Sequence, residues 1–90
     1  MLPKILVIAA AGVNASLGLG FDLIITSGAD GTHMVGSKHY TYEALDFRTY
    51  NIPPEMKELF IRYFRERLGP DYQLVDEGDH LHVEYDPQVV

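Results

Sequence analysis

Asp79-His-Leu-His-Val-Glu-Tyr85 is the stretch whose reading decides the fold, and Glu43-Ala-Leu-Asp-Phe-Arg-Thr49 is its counterpart. Side chains alternate across a β-strand, so Leu81, Val83 and Tyr85 share one face and His80, His82 and Glu84 the other. In the second stretch Leu45 and Phe47 point one way, while Ala44, Asp46 and Arg48 point the other. Two such strands in one sheet leave an apolar face for packing and a polar face for chemistry. Asp46 and His82 would then meet on the polar face.

The apolar face needs a cover, and the segment between the two strands supplies one. Asn51-Ile-Pro-Pro opens a helix over Pro53–Leu68, because proline suits a first turn whose N–H groups have no partner. Met56, Leu59, Phe60, Tyr63, Phe64 and Leu68 recur with helical period and form one apolar stripe. Gly69-Pro70 ends that helix. Tyr72–Val75 reads as a further strand, joined to His80–Tyr85 by the acidic turn Asp76–Asp79 with Gly78, a hairpin.

Towards the N-terminus, residues 3–17 read as a helix, weakened by Gly12 and ended by Gly18 and Gly20. Asp22–Thr26 has the β-branched run of a short buried strand, and Ser27–Lys38 is a polar loop carrying His33. Lys4 followed by the apolar run Ile5–Val13 imitates a signal segment. A first helix is the favoured expectation, since a small chain can ill spare this apolar material. The fold class expected is α+β: one domain over 1–90, with a small antiparallel sheet packed on one face by helices.

Ninety residues with 47% hydrophobic content are enough for one small core. There is no cysteine, so any metal must be held by His, Asp or Glu. Thirteen acidic against seven basic residues give a charge of −6. That balance disfavours nucleic acid and anionic membrane surfaces as partners. The apolar run near the N-terminus is too short to span a bilayer. Asp76, Glu77, Asp79, Glu84 and Asp86 crowd around His80 and His82, where they make either a solvated acidic edge or a field that attracts cations.

Within this frame His39, Asp46 and His82 form a candidate ligand set. Two imidazoles and a carboxylate suit Zn2+, and three protein ligands match a catalytic site with an open fourth position. Asp79, three residues before His82, is the candidate general base, with Glu77 as fallback. His80 shares the face of His82 and is a possible substitute or neighbour. Arg48 projects beside Asp46, where it could orient that carboxylate, bind a substrate carboxylate or make a surface ion pair. His33 has no assigned role beyond a possible contribution near the site.

The segment Ser37-Lys-His39-Tyr-Thr-Tyr-Glu-Ala44-Leu-Asp46 resembles the Ser-x-His-x-x-Gly-x-Ala-x-Asp signature of the zinc DD-peptidase/hedgehog superfamily. The closing Asp79-His-Leu-His82 is similar to the family's second element, an acid three residues before the last zinc histidine. Ile25-Thr-Ser-Gly28 resembles the short strand and turn ahead of the signature. The resemblance implies His39, Asp46 and His82 as zinc ligands, Asp79 as general base and Ser37 as a hydrogen-bonding support. It implies a metallopeptidase of the D-alanyl-D-alanine carboxypeptidase or phage L-alanyl-D-glutamate endolysin type. Such an enzyme, phage-encoded or bacterial, would act on a peptidoglycan peptide substrate at the cell wall. The alternatives are a non-catalytic zinc-stabilised peptide-binding or assembly module, and a metal-free acidic interaction domain.

Overall fold

A computed structural model of the chain describes residues 3–27 and 43–87. Six elements follow in order: α1 (Lys4–Ser16), β1 (Ile25–Ser27), β2 (Ala44–Arg48), α2 (Pro54–Leu68), β3 (Tyr72–Asp76) and β4 (His80–Tyr85). The strands form one antiparallel sheet in the order β1-β2-β4-β3. The result is a small α+β fold of four strands and two helices, with the helices against the sheet's apolar face.

The apolar half of the strand alternation is what the helices cover. Phe47, Leu81 and Val83 are fully buried with Phe60 and Phe64 of α2 and Ile8 of α1. Phe47 and Phe64 meet edge to face with centroids 5.2 Å apart, an arrangement that suits the ring quadrupoles. Helix α2 begins at Pro54 after Pro53, carries Glu55 in its first turn and Arg65 and Arg67 in its last, and ends at Gly69 with φ 81°. The charges complement the helix dipole, and the positive φ accounts for glycine at that end.

Helix α1 is part of this core, with Ile8, Ala11, Gly12 and Ala15 buried. Gly12 is where it comes closest to its neighbours. A β-carbon there would stand 3.0 Å from Cζ of Phe64 and 3.1 Å from a methyl of Leu23. The glycine that weakens α1 as an isolated helix is therefore what lets it lie against α2. None of the helices among the described residues is long and apolar enough to cross a membrane.

The boundary that departs most from the sequence expectation is that of the first strand; elsewhere ends move by a single residue, as where β3 takes in Asp76. The first strand covers Ile25–Ser27 rather than Asp22–Thr26, and its register with β2 slips between Ile25 and Ser27. The slip interrupts regular pairing, as a bulge does. The segment before it still runs beside β2, since the Arg48 N–H donates to the Ile24 carbonyl at 2.8 Å. Asn51 Nδ2 donates to the Asp22 carbonyl at 2.9 Å.

The β3–β4 turn is fixed from three sides. The Gly78 N–H donates to Oδ1 of Asp76 at 3.0 Å, and Lys57 of α2 reaches both the Gly78 carbonyl (3.0 Å) and Asp76 (3.1 Å). From the end of β2, buried Thr49 donates its hydroxyl to the Gly78 carbonyl and its N–H to the Asp79 carbonyl, at 3.1 and 3.0 Å. These bonds hold Asp79 and His80 at a set height beside Arg48.

Candidate functional site

The polar face of the β2–β4 pair carries the candidate site in register. Asp46 stands opposite His82, Arg48 opposite His80 and Ala44 opposite Glu84. Nδ1 of His82 lies 2.8 Å from Oδ1 of Asp46, and its Nε2 lies 3.0 Å from Oε1 of Glu84. The imidazole is thus held edge-on between two carboxylates. Its exposure is only 19%, and that of Asp46 is 15%. The Asp46 hydrogen bond raises the His82 pKa above its ordinary value, opposed by burial and assisted by Glu84.

The neighbouring row is more open. Nδ1 of His80 is 2.6 Å from Oδ1 of Asp79, and its Nε2 is 3.8 Å from Glu77. The hydrogen bond from His80 lowers the Asp79 pKa, and the same bond raises that of His80. Asp79 is 78% exposed, so its carboxylate faces solvent and is ionised at neutral pH. Asp46, Arg48, Asp79 and His80 line one concavity of about 300 Å³, together with Thr26 of β1 and Tyr50.

Of the residues singled out by sequence, Asp46, Arg48, Glu77, Asp79, His80 and His82 therefore lie together on one face. His33, Ser37 and His39 lie outside the described residues, as does most of the Ser-x-His signature. Among the described residues no three His, Asp or Glu side chains converge to hold a metal. The reason is geometric: Asp46 and Glu84 take opposite edges of the same ring, so the three do not point at one centre.

Asp46 and His82 nevertheless carry the donor types that would suit two of three zinc ligands. Donors about 2.1 Å from a tetrahedral zinc stand about 3.4 Å apart. Oδ1 of Asp46 occupies the Nδ1 side of His82 at 2.8 Å, so an ion held on that nitrogen would require the carboxylate to swing aside and the pair to open by about 0.6 Å. Glu84 would then keep its bond to Nε2, the position from which a carboxylate fixes the tautomer of a metal-binding histidine. Strand alternation placed Glu84 on this face, but its role could not be read without the rotamer of His82. Thr26 and Tyr50 carried no sequence signal; each reaches the concavity from the end of a strand or just beyond it.

No protein-family model, curated protein or solved structure matches this chain.

Proposed function

We propose that the polar sheet face is a zinc metallopeptidase site of the hedgehog/DD-peptidase kind, hydrolysing amide bonds in peptidoglycan stem peptides or cross-links. The observation that carries this reading is the in-register pairing of Asp46 with His82, two donors from separate motifs brought within 2.8 Å. His39 is the third ligand in this proposal. When bound, zinc polarises a substrate carbonyl and acidifies a water.

The chain's own groups do the rest. Asp46 and His82 supply a carboxylate oxygen and Nδ1, and Glu84 holds the His82 ring from its far edge. Asp79 accepts the proton of the attacking water and returns it to the leaving amine. Its Oδ1 is engaged by His80, which leaves Oδ2 to take that proton.

The test combines metal content with hydrolysis. Protein purified in metal-poor buffer and titrated with zinc should hold one ion per chain and cleave a stem peptide. The Asp79→Ala variant should keep its zinc and lose cleavage. Undiminished turnover by that variant removes Asp79 from the proposal; zinc binding without cleavage of any stem peptide favours the non-catalytic module.

A second reading is favoured by one specific observation, the engagement of both His82 nitrogens by carboxylates. An imidazolium clamped in this way has both N–H donors satisfied without any metal. On this reading the face belongs to a metal-free acidic interaction domain. A thermal midpoint unmoved by zinc or chelator would support it.

A further inference from the structure

Helix α1 is apolar on two opposite sides. One side, with Ile8, Ala11, Gly12 and Ala15, is buried in the core. Along the other stand Leu6, Ala10, Val13 and Leu17, spaced by four, three and four residues and therefore in one line. Leu6 is 52%, Val13 51% and Leu17 68% exposed. Ala9 and Ala10 leave a notch of about 450 Å³ between these larger side chains. A helix apolar all round is ordinarily a buried one, and a stripe this narrow is the seam along which two helices pack.

The polar neighbours of the stripe are turned away from it. Asn14 accepts from Nε of Arg67 on α2, and the same guanidinium donates to the Tyr63 carbonyl. Ser16 donates its hydroxyl to the Val13 carbonyl at 2.8 Å.

Electrostatics select what can cover this seam. A chain of charge −6 repels its own copy wherever acids face one another, and it repels an anionic lipid surface. The stripe carries no ionisable side chain, so two copies meet there without opposing carboxylates. Helix α1 has no acid in its first turn and no base in its last, and among the described residues no side chain caps its N-terminus. An antiparallel copy of α1 sets the positive end of each helix dipole beside the negative end of the other, whereas a parallel copy sets like ends together. The stripe also matches itself in that sense. About a two-fold axis, Leu6 meets Leu17 of the second copy and Ala10 meets Val13, small against large.

We propose that α1 is a dimerisation helix, packed antiparallel on α1 of a second copy through Leu6, Ala10, Val13 and Leu17. The proposal is independent of the zinc reading, since none of these residues lies on the polar sheet face. The 13 residues of α1 span about 20 Å. A patch of that length is smaller than the roughly 800 Å² per partner of a standard interface, so the dimer is weak, with Kd of about 10 μM to 1 mM.

Sedimentation equilibrium of the full chain, with chelator and at physiological ionic strength, reads the association up to about 1 mM and should show a reversible monomer–dimer equilibrium. Val13→Glu sets like charges within the seam and should weaken the dimer at least about tenfold, with the circular dichroism of the dilute chain unchanged. The chain has no cysteine, so single substitutions report orientation. Leu6→Cys mixed with Leu17→Cys should cross-link on oxidation. Leu6→Cys alone should not, because its two copies lie at opposite ends of the antiparallel pair, beyond disulfide reach. The cross-linking keeps the test sound if Val13→Glu folds poorly. A chain that stays monomeric, a dimer undiminished in folded Val13→Glu, or equal cross-linking of Leu6→Cys alone and of the mixture would overturn the proposal. A monomeric chain that binds uncharged phosphatidylcholine vesicles would assign the stripe to a lipid surface and overturn it as well.

Discussion

The Asp46–His82 contact yields a prediction whose size follows from its surroundings. In metal-free protein the pair is a charge-assisted hydrogen bond of 2.8 Å, with both side chains less than one-fifth exposed. Exposed ion pairs contribute roughly 0.2–1 kcal/mol. Hydrogen bonds to charged groups contribute about 1.5–3 kcal/mol. Because Glu84 shares the imidazolium, an intermediate coupling of about 1.5 kcal/mol is expected between Asp46 and His82. A double-mutant cycle with Asp46→Asn, His82→Gln and the double variant measures it by urea unfolding in chelator at pH 5.5. The pKa of His82 is raised in the folded state, so its stabilising contribution is full below the unfolded value of about 6.5. That contribution is lost as pH rises through the folded value. The coupling should therefore shrink between neutral and alkaline pH. A coupling near zero at pH 5.5, or one unchanged at pH 9, would refute the clamp.

Other predictions follow from the same geometry. Zinc competes with the proton on Nδ1 of His82, so zinc affinity should strengthen as pH rises through the raised His82 pKa, opposite in sign to the clamp; competition with a chelating dye at several pH values measures this. Replacing Glu84 with Gln should weaken zinc binding by about 10–100-fold while leaving one ion per chain, as read by calorimetry. Gly12→Val places methyl groups against Phe64 and should cost about 2–3 kcal/mol of stability, visible as a thermal midpoint lowered by roughly 8–24 °C. Phe64→Ala, which empties the centre of the core, should cost about 3–5 kcal/mol by urea unfolding.

How much of this was legible in the sequence depends on the range of the interaction. Alternation in 43–49 and 80–85 assigned the faces of Phe47, Leu81 and Val83, because a period of two is a purely local property. The pairing of Asp46 with His82 followed from the same logic, once both strands were placed in one sheet. The limits of β1 were not legible, because a slip in register depends on how a strand meets its neighbour. Gly12 read as a weak point in a helix, whereas its value lies in the approach of Phe64, more than fifty residues away. Likewise nothing in the spacing of α2 marks Lys57, which lies outside the apolar stripe, as the side chain that holds the Gly78 turn. The rotamers that set His82 between Asp46 and Glu84, and Arg48 against Tyr50, are decided by neighbours and leave no trace in spacing.

Zinc binding at pH 7.5, measured by calorimetry and chelator competition on the intact chain and on three variants, bears most directly on the proposed site. The intact chain should bind one zinc, and His39→Gln, Asp46→Asn and His82→Gln should each weaken it by at least about 100-fold, given the loss of one of three ligands. An intact chain that binds no zinc, or variants that bind it as well as the intact chain, would contradict the proposed metal centre.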